Sequence, residues 1–62
     1  MNKFLRLKII EKYDSQTNFS QKMGVHESFV SQVIHGRRVL DSETQEVWAK
    51  VLGCKAGDLF QR

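Results

Sequence analysis

The stretch SQTNFSQKMGVHESFVSQVIHGRR, residues 15–38, decides the reading of this chain. Ser15 is a good helix N-cap, because its short hydroxyl side chain accepts from the free amides of a first turn. The helix it opens is predicted to end at Met23, with Phe19 and Met23 four residues apart on its inner face. Gly24 supplies the positive φ that a sharp turn requires. A second helix is predicted from about Glu27 to His35, with Val30, Val33 and Ile34 inward, and Gly36 stops it just before Arg37 and Arg38. Ser20 falls where the two helices cross, and its hydroxyl needs a partner, most simply the carbonyl of Gln16. The layout is helix, turn, helix over about residues 16–35. An ordinary helical hairpin in a small bundle shares it, so the turn alone does not separate the two.

Working outward, residues 3–13 carry Leu5, Ile9 and Tyr13 at helical spacing, with Ile10 beside them. A first helix is predicted from about Lys3 to Tyr13. After the two arginines, Ser42-Glu43-Thr44-Gln45 fits a capping box. It opens a fourth helix with the stripe Val47, Trp48, Val51 and Leu52, ended by Gly53. A short fifth helix, Lys55 to Phe60, sets Leu59 and Phe60 against the core or a partner. No segment alternates like a half-buried strand, and no linker, repeat or low-complexity segment interrupts the chain. The expected fold class is all-α, in one domain over residues 1–62.

The length bounds the function. A chain of 62 residues buries only about 60% of its unfolded surface, which leaves no room for a deep catalytic cleft and its supporting shell. No enzyme, cofactor or small-molecule ligand is expected. The net charge of +3 is uneven. Residues 1–40 hold seven basic against three acidic side chains, and residues 41–62 hold three against four. A polyanion partner fits that asymmetry, and so does a solvated basic surface. The single Cys54 cannot form an internal disulfide, so a reducing cytoplasm is the expected compartment. Met1-Asn2-Lys3-Phe4-Leu5 starts like a signal peptide, but Arg6, Lys8, Glu11 and Lys12 break it before an apolar region forms. No apolar run approaches the roughly 18 residues of a membrane span.

The outward residues of the second helix in the motif carry the chemistry. With Val30, Val33 and Ile34 turned in, the free side presents His26, Glu27, Ser28, Ser31 and Gln32. A helix with such a face fits the major groove of B-DNA. Serine and glutamine donate to and accept from base edges, and glutamine can pair with adenine at two points. Glu27 can accept from a cytosine amino group and is repelled by phosphate, so it belongs on the groove floor. Gln16, at the start of the first motif helix, can bond a phosphate with help from the free amides there. Lys22, Arg37 and Arg38 are placed for the flanking backbone. Phe29 lies between the core face and the groove face.

On these residues the chain resembles the Xre family of helix-turn-helix regulators, which includes the phage Cro and cI-type repressors. The resemblance rests on Gln16, Phe19-Ser20, Gly24-Val25, Val30-Ser31, Gly36-Arg37-Arg38, Leu40, Leu52-Gly53 and Leu59-Phe60, and covers about Leu5 to Phe60. It implies a compact five-helix, lambda-repressor-like domain that binds operator DNA as a two-fold dimer. It also implies that Gln16 bridges phosphate and base, that Glu27, Ser28 and Gln32 are the main base readers, and that His26 stands at the edge. The chain departs from the family in carrying Ser20 for the usual alanine and His26 at an N-cap where Ser or Thr is commoner. The latter change weakens the cap by about 1 kcal/mol.

Other chemistry is poorly served. His26 and His35 are nine residues apart and Cys54 is distant, which is not a zinc arrangement. Ser31 and His35 lack a pocket and an orienting acid. The leading expectation is a sequence-specific double-stranded DNA-binding regulator, a Cro-like phage or prophage repressor. It would act as a homodimer, or dimerise on DNA, with Leu59 and Phe60 as interface candidates. The alternatives are an antitoxin-type autorepressor and a protein-interaction module of the same fold.

Overall fold

The computed structural model of the protein describes residues 1–60. All regular structure among them is helical: α1 (Lys3–Tyr13), α2 (Gln16–Met23), α3 (Glu27–Ile34), α4 (Ser42–Leu52) and α5 (Ala56–Leu59). None of these helices is long and apolar enough to cross a membrane. α2 packs on both α1 and α3, α4 packs on α5, and α1 also reaches α3 and α4.

The first helix ends have local causes. Asn2 caps α1, its side chain accepting from the Leu5 amide at 3.0 Å. α1 ends where Asp14 takes φ +69°, and the Asn18 side chain donates to the Tyr13 carbonyl at 2.9 Å. That bond satisfies one of the acceptors a helix end leaves open. Ser15 caps α2 through the Asn18 amide at 3.1 Å. Gly24, at φ +71°, ends it in the left-handed conformation that costs a glycine little.

Four ends differ from the sequence reading. α4 is capped by Asp41, whose carboxylate accepts from the Thr44 amide at 2.8 Å, so Ser42 is the first helical residue and not the cap. Gln45 accordingly does not close a capping box and donates to the Leu40 carbonyl at 3.0 Å. α3 stops at Ile34 with His35 as its C-cap, and α5 is shorter by one residue at each end.

The core gathers Leu5, Ile9, Phe19, Val30, Val33, Ile34, Leu40, Trp48, Ala49, Leu52 and Leu59, all buried. Trp48 is its hub. Phe19 meets it edge to face at 5.0 Å between ring centroids, Phe29 at 6.1 Å and Phe60 at 6.4 Å, while Tyr13 lies 5.4 Å from Phe19. Such pairs add roughly 0.5–1.5 kcal/mol each beyond their buried area. Through them one indole ties together all the helices. Met23 and Val51 are half-buried at the margin.

Two apolar residues expected inside point outward. Ile10 is 40% exposed and Val47 is 47% exposed. Each stands more than a quarter turn from the buried stripe of its helix, and in α4 Ala49 takes the inner place. The Ser20 hydroxyl is buried as expected, but it donates to the Thr17 carbonyl at 2.7 Å, one residue nearer than Gln16. Among the described residues no buried side-chain nitrogen or oxygen lacks a partner.

Candidate nucleic-acid interface

Burial of Val30, Val33 and Ile34 fixes the roll of α3. Glu27, Ser28 and His35 stand exposed on its other side, with Ser31 and Gln32 half-buried between them. Ser28, Ser31, Gln32 and His35 follow the i, i+3, i+4, i+7 spacing of one helical face. With its side chains such a helix is about 10–12 Å across, close to the width of a B-DNA major groove.

The N-terminal end of this face is rich in acceptors. His26 Nδ1 accepts from the Ser28 amide at 3.1 Å and lies 2.8 Å from the Ser28 hydroxyl. The imidazole therefore performs the capping role normally taken by serine or threonine. An Nδ1 that accepts an amide proton is unprotonated, so the hydroxyl donates to it as well. Ser28 then shows only lone pairs to a ligand. Beside it, the Thr17 hydroxyl donates to Glu27 Oε2 across the α2–α3 junction. That leaves Oε1 of Glu27 as a free acceptor on a carboxylate held in one orientation. Thr17 has no part in the sequence reading, and its signal there is faint: a threonine one turn before the crossing at Ser20.

Donors gather at the other end. His35 Nδ1 lies 2.8 Å from the Ser31 carbonyl, and since a carbonyl only accepts, this Nδ1 carries a proton. The two histidines are thus opposite at Nδ1. Arg38 Nε donates to Gln32 Oε1 at 3.1 Å. Its guanidinium carbon sits 5.2 Å from the centroid of the Phe29 ring. The Gln32 carbonyl is engaged, and its amide NH₂ is left to donate outward. Arg37 is exposed, and with Ser31, Gln32 and His35 it lines a shallow groove along the helix end. Phe29, half-buried, is the link between core and surface: one edge meets Trp48 and Arg38 covers it.

The remaining predicted site residues are more scattered. Gln16 is half-buried at the first position of α2, and Lys22 is exposed in its last turn. Leu59 is 1% exposed and belongs to this chain's own core, so it offers a partner nothing. Phe60 is half-buried against Trp48. Among the described residues no three His, Cys, Asp or Glu side chains cluster as metal ligands. Comparison with protein-family models, with curated proteins and with solved structures returned no match for this chain.

Proposed function

We propose that this protein is a sequence-specific double-stranded DNA-binding regulator, a repressor of the Cro type built on a lambda-repressor-like helix-turn-helix. In this reading α3 enters the major groove and the N-terminus of α2 meets the phosphate backbone. The observation that carries it is the polarity of the α3 face. Acceptors on Glu27 and Ser28 stand at one end, and donors on Gln32, Arg37 and Arg38 stand at the other.

Base edges in the major groove are distinguished by that kind of pattern. The acceptor end suits the amino groups of cytosine or adenine, and the donor end suits the O6 and N7 of guanine. The Gln32 carbonyl accepts one bond from Arg38 and keeps a second lone pair, so in this reading Gln32 still pairs with adenine at two points while Arg38 meets the flanking backbone. Lys22, Arg37, Arg38 and the Gln16 end of α2 supply the phosphate contacts that position the helix. A single copy reads only a few base pairs, so binding at useful affinity takes two copies on half-sites about one helical turn apart.

The test is selection from random duplexes against the purified protein at near-physiological salt. The expected result is an enriched, roughly palindromic site whose half-sites fix the base under Gln32. Weak binding without enrichment, lost steeply as salt rises, would replace this reading with a protein-interaction role for the same face.

A further inference from the structure

α1 is apolar on two opposite sides. Leu5 and Ile9 are buried, yet Phe4 is 42% exposed, Leu7 58% and Ile10 40%. At about 100° per residue, Phe4, Leu7 and Ile10 form a stripe centred on Leu7 and opposite the buried pair. Met1, 64% exposed, joins it. On so small a domain a contiguous apolar stripe of this kind marks an interaction face.

The charge around the stripe gives the chemistry of its partner. Lys3 and Arg6 lie on one flank, about 40° and 100° from the line through Leu7, and Lys8 lies about 100° away on the other. The Lys8 ammonium reaches back over Phe4, 5.6 Å from the ring centroid. Glu11, the one acid of α1, is bridged by Lys8 at 3.3 Å. Among the described residues no carboxylate bridges Lys3 or Arg6. The face is thus apolar at its crest and cationic at its margins. Two partners match that charge, an acidic protein segment and an anionic lipid bilayer, and shape separates them. Met1, Lys3, Arg6, Leu7 and Ile10 line a shallow groove, and all belong to α1 or lie just before it. With no second element to wall it, the groove is not a cleft for a peptide to lie in. A bilayer needs only a crest of apolar side chains to enter between its headgroups, with basic side chains beside it to reach the phosphates.

From this we infer that the outer face of α1 is a docking surface for an anionic phospholipid bilayer, with the helix lying flat on it and Leu7 entering deepest. The inference goes beyond the DNA-binding reading and does not depend on it. Leu5 and Ile9 stay in the core throughout, so docking needs no unfolding. Four exposed apolar side chains and three cations make a weak, reversible attachment that loosens as salt rises.

Co-sedimentation of the full chain with vesicles tests this, with equal parts phosphatidylglycerol and phosphatidylcholine set against phosphatidylcholine alone. The expected result is a partition onto the anionic vesicles at least about tenfold above that onto the neutral ones, falling as salt rises. Leu7→Gln should lower it about threefold or more, while the far-UV circular dichroism and melting curve stay those of the folded chain, since Leu7 is not in the core. Lys3→Gln combined with Arg6→Gln should lower it about tenfold. Lys50→Gln combined with Lys55→Gln removes the same charge from exposed positions on α4 and before α5, and should lower it far less. A chain that ignores the anionic vesicles overturns the proposal and leaves the face to an acidic protein segment. Binding that Leu7→Gln leaves intact overturns it too, as does binding that the Lys50 and Lys55 changes reduce as much as those at Lys3 and Arg6, because net charge alone then accounts for it. None of these results bears on whether α3 reads DNA, which the duplex selection decides separately.

Discussion

Arg38 donates through Nε to the side-chain carbonyl of Gln32 at 3.1 Å, across the C-terminal end of α3. The bond turns two flexible side chains into one unit, and the Phe29 ring beneath the guanidinium fixes where that unit stands. Trp48 in turn backs Phe29. A surface orientation is thereby set by the core. Gln32→Ala should cost roughly 1–3 kcal/mol on the selected site and little on random duplex. Arg38→Ala should lower the salt slope by about one unit, and it should also erode the preference at the base under Gln32. Fluorescence anisotropy on both duplexes at several salt concentrations separates these effects. An Arg38→Ala protein with full sequence preference would show that the pair does not act together on DNA.

Thr17 holds the Glu27 carboxylate from the neighbouring helix. Thr17→Val keeps the shape and removes the donor. The expected outcome is a folded protein whose discrimination narrows at the base pair under Glu27 by a few fold, with binding to random duplex unchanged. A selection repeated with the variant reads this directly. An unchanged preference would limit Thr17 to joining α2 and α3.

The cap on α3 is an imidazole. His26→Ser should hold or slightly raise the stability of the domain, because a serine hydroxyl can accept from the Ser28 amide in the same way with less loss of freedom. His26→Ala should cost about 1 kcal/mol. Urea unfolding at neutral pH compares the three proteins. Equal stability of the histidine and alanine forms would mean that the Nδ1 bond at 3.1 Å contributes nothing.

Asp41 gives the chain a definite response to acid. The Thr44 hydroxyl and then the Thr44 amide stabilise its ionised form and hold its carboxyl below the ordinary aspartate range. A carboxylate whose folded pKa is lowered stabilises the fold above its unfolded pKa, and that stability is lost as pH falls through the folded value. Asp41→Ala should therefore melt below the wild type at neutral pH, and the two curves should converge as pH drops past the acid end of the titration. Parallel curves down to the lowest pH would exclude the cap as the cause.

Asp14 is the one residue other than glycine with positive φ among those described, at +69°. Side chains with a β-carbon are strained there, and glycine is not. Asp14→Gly should stabilise the domain by roughly 0.5–1 kcal/mol, seen as a higher urea midpoint with the same slope. A lower midpoint would show that the aspartate side chain makes up for the strain locally.

The elements of this fold were legible because most of their signals are local. Ser15, Gly24 and Gly53 mark ends that any chain would mark in this way, and the stripe of α3 admits one inward face. α1 is different. Its apolar residues at 4, 5, 7, 9 and 10 surround most of the helix, so periodicity cannot choose a side until a neighbour packs against it. Ile10 was assigned to the core on that ambiguity. Asp41 and Ser42 are both good caps one position apart, and only the tertiary position of Leu40 decides between them. At the α3 face, residue types could be read from the sequence, but not the bonds between them. The Arg38–Gln32 and Thr17–Glu27 contacts join positions six and ten residues apart. Those spacings have no meaning within one helix and arise only when loop and turn fold back.

Asn2 makes the least local connections in the molecule. Its backbone amide donates to the Ile34 carbonyl at 2.6 Å, and its side-chain amide donates to the Leu59 carbonyl 57 residues away. Closing so long a loop carries an entropic cost that neighbouring helices do not face. Contacts of α1 with α2 and of α2 with α3 can form early on this account, whereas the seam at Asn2 closes last and opens first. Hydrogen exchange should find the Asn2 amide among the earliest to be released, well before the amides of α3. The face proposed to meet DNA would then be complete before the chain has finished folding.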